Sequence, residues 1–160
     1  RVRAKNTVRT SAPSNVIGPV EVSSQFVIDE LIDFSQVFGH DGKLSLETAN
    51  ARPYKEDPNR LKGVTGDWIS YKTPQRLRAV KVLTLMESTR ADLEFYVSND
   101  GETFTKVNAK ASSFPTEVNL YGYKLPIKYE VESLPANSHF LKIVFTGDAQ
   151  ISRVELRYGK

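Results

Sequence analysis

The side chains that carry most acid–base and metal chemistry are thinly supplied in this chain. Its 160 residues include two histidines, His40 and His139, set far apart, and no cysteine. Disulfides, thiolate metal sites and cysteine nucleophiles are thereby removed together. No G-x-S-x-G, H-E-x-x-H or glycine-rich phosphate loop occurs. Asp and Glu total 19, which offers many carboxylate pairs for acid–base cleavage, none distinguished by spacing. Catalysis is therefore not the expected role. Residues 50–60 hold something different: Arg52, Tyr54, Lys55, Asp57, Asn59 and Arg60. One aromatic face beside several cationic donors suits a ligand that is apolar on one face and polar at its rim. Arg52, Tyr54, Lys55 and Arg60 are the leading candidates. The plainer alternative is a solvated, turn-rich loop in which Arg60 pairs with Asp57.

A second aromatic set is Tyr71, Tyr96, Tyr121 and Tyr123, on a sheet face or an opposite loop end. The Tyr121-Gly122-Tyr123 run is the more suggestive, since glycine between two tyrosines permits an exposed turn. The alternative is that these rings cap sheet edges with their hydroxyls hydrogen-bonded.

The elements that must position these residues read as strands. Leu93, Phe95 and Val97 alternate with Glu94, Tyr96 and Ser98, the period of a half-buried strand. Ile127, Tyr129 and Val131 repeat the pattern, as do Leu141, Ile143 and Phe145, then Val154, Leu156 and Tyr158. Further strands are expected at 25–31, 44–47, 68–72, 79–85 and 103–107. Ser98-Asn99-Asp100-Gly101 supplies a hairpin turn. Strands recurring at this spacing predict an all-β, antiparallel β-sandwich or barrel. A turn or two of helix is expected only near 32–37. Three stretches, 33–43, 50–60 and 109–118, exceed simple hairpin length, and on a rigid sandwich such loops are where binding resides.

Charge is unevenly placed. Formal net charge is +3, yet residues 1–20 carry Arg1, Arg3, Lys5 and Arg9 with no acid. The remainder is thus close to neutral, which argues against a nucleic-acid footprint. Within it, 21–51 is acidic and 52–78 is rich in Lys and Arg, leaving a local cationic loop at 52–62. No run approaches the length of a membrane span.

Two resemblances to known families give these readings a context. Val2-Arg3-Ala4-Lys5-Asn6 and Ser11-Ala12-Pro13-Ser14-Asn15 resemble the last strands of a fibronectin type III domain. Residues 1–20 are accordingly expected to be a remnant of such a domain, or a linker, ahead of a module at 21–160. Asp67-Trp68-Ile69-Ser70-Tyr71, the strand at 79–85, and Val97-Ser98-Asn99-Asp100-Gly101 through Phe104 resemble the discoidin (coagulation-factor C-type) and related galactose-binding-like sandwiches. Phe140-Leu141-Lys142-Ile143 and the strand at 151–158 match the last two strands of that jelly-roll.

That resemblance implies a non-catalytic carbohydrate-binding module of a secreted bacterial polysaccharide-degrading enzyme. Its partners would be a polysaccharide, in one reading an acidic one, and covalently linked catalytic and fibronectin type III domains. It would be extracellular, free or attached to the cell surface. The rival class is a structural spacer or protein-docking sandwich without glycan affinity. In this topology ligands meet loops at one end, and counting strand reversals from Trp68 puts 65–67, 87–91, 109–117 and 133–139 there. Asp67, Glu87, Arg90 and Phe114 thereby join the candidates, and Trp68 itself is expected in the core. The family commonly carries a structural Ca2+ near its first strand. Asp29, Asp33 and Asp41, with Glu30, lie near a Gly39-His40-Asp41-Gly42 turn that supplies hard oxygens. An acidic solvated edge facing the basic stretch is the alternative.

Overall fold

The computed structural model describes residues 7–8, 10–11, 24–87, 93–114 and 122–160. The fibronectin-like stretch falls almost wholly outside these residues, as do Arg90 and Tyr121. The described chain forms two antiparallel β-sheets packed as a sandwich. The larger sheet has the order β3 (Ser45–Glu47), β4 (Arg60–Gly63), β12 (Ala149–Gly159), β6 (Leu77–Met86), β10 (Leu125–Val131), β9 (Lys110–Ser113), with β1 (Ser24–Asp29) also on β12. The smaller has the order β2 (Gly39–His40), β5 (Trp68–Lys72), β11 (Phe140–Phe145), β7 (Leu93–Ser98), β8 (Thr105–Val107).

Alternation puts one row of each strand into the shared core. Ile69 and Tyr71, Phe95 and Val97, and Leu141, Ile143 and Phe145 come from the smaller sheet. Val80 and Val82, Ile127 and Tyr129, and Ile151, Val154 and Leu156 meet them from the larger. Because Ile69 and Tyr71 take the inward positions of β5, Trp68 is turned outward. The tryptophan expected in the core is half-buried on the outer face, with the Lys142 ammonium 4.4 Å from its ring centroid.

The Asn-Asp-Gly hairpin forms as expected. Ser98 Oγ accepts the Gly101 N–H at 2.9 Å, and Asp100 Oδ1 accepts those of Glu102 and Thr103 at 2.8 Å. These backbone donors hold the Asp100 carboxyl down at about 2. Gly101 has φ +83°, and an added Cβ would lie 3.0 Å from the Phe140 ring, so the turn needs glycine on both counts.

Four local expectations change. Residues 32–37 form bends and turns rather than helix. The three long stretches each contain an element: β2, a single 3-10 turn at Arg52–Tyr54, and β9. Arg60, placed at a loop end by its sequence, begins β4. Finally, β9 and β10 pair directly, Ser113 with Ile127 and Lys110 with Glu130, so Phe114 and Lys124 emerge at the same end of the sandwich. This alters the count of reversals. Residues 133–139 lie at the opposite end, where Thr73 N–H donates to His139 O and His139 N–H to Ser98 O, each at 2.9 Å.

Candidate functional site

The outer face of the larger sheet carries a groove of about 340 Å³ at the end where β6 finishes and β10 and β12 begin. Its floor is apolar: Leu83, Leu85 and Pro126 project from adjacent strands. One wall is the loop after β3, with Tyr54, Lys55 and Asp57; the other is Phe114 with Lys128. Phe114 is 52% exposed, and the Lys128 ammonium sits 5.7 Å from its ring centroid. Ser152 closes the edge and donates its hydroxyl to Asp57 Oδ2.

The Tyr54 wall is built with care for backbone hydrogen bonds. Pro53 presets the 3-10 turn, and Tyr54 N–H and Glu56 N–H both donate to Ala51 O, at 2.9 and 3.0 Å. Asn50, Lys55 and Glu56 all take left-handed conformations, with φ of 51°, 56° and 63°. Non-glycine residues held this way are uncommon, and they concentrate at sites where the surroundings over-determine the backbone. The turn is pinned to the lead-in of β10 by Lys124 N–H donating to Pro53 O at 2.7 Å. Lys55 lies over the Tyr123 ring at 4.8 Å from its centroid, and Lys124 pairs with Glu87.

The structure therefore brings together Tyr54, Lys55, Glu87, Phe114 and Tyr123 from the sequence candidates, with exposed Arg52 on the same turn. Tyr123 does not line the groove itself but sits beside it under Lys55, at the same end of the sandwich because β9 and β10 are neighbours. Arg60 and Asp67 are different. Arg60 is 1% exposed: Nε donates to Gln150 Oε1 at 2.8 Å, and the two other nitrogens donate to the carbonyls of Asp57 and Ala49. Its guanidinium backs the Tyr54 ring at 4.3 Å, and Gln150 Nε2 donates to the Tyr54 hydroxyl at 2.8 Å. Arg60 thus orients the aromatic wall from behind and faces no ligand. Asp67, 2% exposed, accepts the Val64 N–H at 3.0 Å and closes a turn away from the groove. Sequence reading missed Leu83, Leu85, Pro126, Lys128 and Ser152. The outward row of β6 reads Lys81-x-Leu83-x-Leu85, and two leucines in that row were the available signal, Leu85 being itself covered to 7% exposure.

The remaining tyrosines are engaged elsewhere. Tyr71 is buried and donates to Asp29 Oδ2 at 3.0 Å, and Tyr96 donates to Glu94 Oε2 at 2.6 Å on the outer face of the smaller sheet. Burial pushes the Asp29 carboxyl above its ordinary value, against the bonds from Leu31 N–H and Tyr71. Asp33 accepts the Ser35 N–H and Asp41 the Lys43 N–H, both at 2.8 Å. Each aspartate of the expected Ca2+ set thus accepts a hydrogen bond from its own turn or from Tyr71. Among the described residues no three His, Asp or Glu side chains gather as a metal-binding group.

No family model matches the chain, and no curated protein does. Two carbohydrate-related proteins are among the solved structures that resemble it. One is a family GH115 4-O-methyl-α-glucuronidase with specificity for decorated arabinogalactans, with 13% identity and a TM-score of 0.46 over 97% of this chain. The chain spans 20% of that enzyme's length. The other is the C-terminal CBM6 of LamC, a marine laminarinase from Zobellia galactanivorans, with 12% identity, a TM-score of 0.42, and cover of 85% of this chain and 100% of that one. At these identities and scores neither likeness bears on what the chain binds.

Proposed function

We propose that the chain is a non-catalytic carbohydrate-binding module that holds a secreted glycan-active enzyme on its polysaccharide. The observation that carries this reading is the groove itself. An apolar floor between an aromatic wall at Tyr54 and a second at Phe114 suits the C–H faces of pyranose rings. Lys55, Asp57, Lys128 and Ser152 at the rim suit hydroxyl or carboxylate groups. The walls stand on paired strands and a pinned turn, so little ordering entropy is lost on binding. Attachment to a glycoside hydrolase or polysaccharide lyase, a preceding fibronectin type III-like domain and an extracellular setting follow from the sequence resemblances.

A catalytic reading has one observation in its favour. Glu130, Glu132 and Glu155 share a cavity of about 490 Å³ farther along the same face. Two of them are already committed: Glu155 pairs with Lys81 at 3.2 Å and Arg153 at 2.9 Å, and Glu130 with Lys128 at 3.0 Å. A glycosidase couple needs one carboxyl free to protonate and another free to attack or activate water. That arrangement favours binding over cleavage.

Affinity electrophoresis against neutral and acidic polysaccharides tests the proposal. Retardation by at least one polymer is expected, without release of reducing ends. Tyr54→Ala and Phe114→Ala should each weaken it about tenfold, the loss of one stacking contact. Absence of retardation by every polymer would sink the binding reading; released reducing ends would replace it with the enzyme reading.

A further inference from the structure

A second, basic cavity of about 360 Å³ lies at the far end of the same sheet face. Arg76, Arg78, Arg157 and Lys160 line it against one carboxylate, Glu132. Among the described residues none of these four cations has a carboxylate within ion-pair distance, while six other ion pairs form on the molecule. Arg76 Nε is enclosed and meets no hydrogen-bond acceptor. A buried donor without an acceptor is costly, and four like charges around one hollow repel each other unless an anion shares it.

The backbone builds this cavity deliberately. In the ladder between β12 and β6 the register jumps from Arg157↔Ala79 to Tyr158↔Leu77, which leaves Arg78 as the extra residue of a bulge. Bulges re-aim side chains and recur beside functional sites. Arg78 is then fixed by Nε donating to Gly159 O at 3.0 Å, and Gly159 N–H donates to Arg76 O at 3.0 Å. The same ladder has one other jump, between Ile151 and Arg153, which leaves out Ser152 at the edge of the groove. Each bulge of this ladder thus sits at one of the two cavities.

We propose that the basic cavity is an oxyanion subsite, taking a carboxylate or sulfate ester carried by the same polymer whose sugar faces occupy the groove. The polymer rests on the carbohydrate reading above; the oxyanion chemistry does not. Glu130, Glu132 and Glu155 stand between the two sites and are largely offset by Lys81, Lys128 and Arg153, so the face offers no continuous basic track to a densely charged polyanion such as nucleic acid. A polymer with well-spaced anionic groups and neutral rings between them matches that face.

Inorganic sulfate is titrated into 15N-labelled protein while the Arg76 Nε–H resonance is followed. In parallel, wild type, Arg76→Lys and Arg157→Gln are run in gels containing dextran, sparsely sulfated dextran, polygalacturonate or single-stranded DNA. Expected are a saturable shift of that resonance and tighter binding to at least one anionic polymer than to dextran. The relative strength of the sulfated and uronate polymers identifies the group. Both variants should bind the anionic polymer at least threefold more weakly, with any binding to dextran unchanged. Arg76→Lys keeps the charge but loses the donor, so wild-type binding by that variant would reduce the cavity to diffuse positive charge and overturn the proposal. No saturable shift, or preference for single-stranded DNA, overturns it too. Polymer binding without a sulfate shift defeats the subsite alone; a sulfate shift without binding to any polymer defeats the carbohydrate reading and leaves the anion site.

Discussion

Tyr54 owes its place to Arg60. The guanidinium lies against the ring, bonds Gln150, and satisfies two carbonyls of the loop that carries the tyrosine. Removing it leaves those acceptors buried without a donor, so Arg60→Ala should lower stability by about 3 kcal/mol. Arg60→Lys should recover less than half, because an ammonium cannot span three acceptors in the fork geometry. Urea unfolding of the two variants measures this; equal stability of Arg60→Ala and wild type would show that the loop holds itself. Arg52, Tyr54, Lys55, Phe114 and Tyr123 were legible in the sequence because exposed aromatics and cations in long connections have few other uses. Arg60 and Asp67 were not, because the groups that satisfy them appear only when the chain is folded. Ala49 O and Asp57 O come from the two ends of one loop, and Gln150 Oε1 from a strand ninety residues away. A sequence displays a charge but not its acceptors.

At the level of elements, the long strands were readable, as were the short β3 and β8, whereas β2, β4 and β9 were not. β6, β7, β10, β11 and β12 alternate over enough positions to reveal their period. β2, β4 and β9 span two to four residues, too few for a period to stand out. Missing β9 had a consequence beyond itself, since it hid the neighbour relation that puts Phe114 and Tyr123 at one end and sent residues 133–139 to the wrong one. β4 shows how closely the layers meet. A Cβ added to Gly63 would lie 2.7 Å from the Phe145 ring of the opposite sheet, whereas one added to Gly42 meets nothing within 4 Å. Gly63→Ala should therefore cost about 1–3 kcal/mol through overpacking. Gly42→Ala, whose φ lies outside the left-handed region, should be neutral or stabilise by up to about 1 kcal/mol. Thermal unfolding of both distinguishes them, and equal melting temperatures would refute the close approach of β4 to Phe145.

Over the whole molecule, charge sorts in a way that no linear tally reveals. The basic stretch from Arg52 to Arg78 is dispersed by folding: Arg52 and Lys55 go to the groove loop, Arg60 goes inside, and Lys72 faces outward from the smaller sheet. Arg76 and Arg78 instead meet Arg157 and Lys160 from the other end of the chain. The cationic feature of the fold is thus not the loop that its sequence suggested but a cavity closed by two strands remote in sequence. It shares a face with the groove, and from Leu85 to Arg78 along β6 the two are about 23 Å apart. A ligand long enough to reach both engages the second site at the effective concentration set by the first. Affinity for a sparsely anionic oligosaccharide should therefore rise gently with length until it spans that distance, then jump about a hundredfold. Calorimetry on a graded series of such oligosaccharides reads the step. In Arg157→Gln the jump should shrink while the gentle rise persists, and in Tyr54→Ala the whole curve should fall. A smooth curve in the wild type, with no step near that length, would mean that the two cavities never hold one chain at the same time.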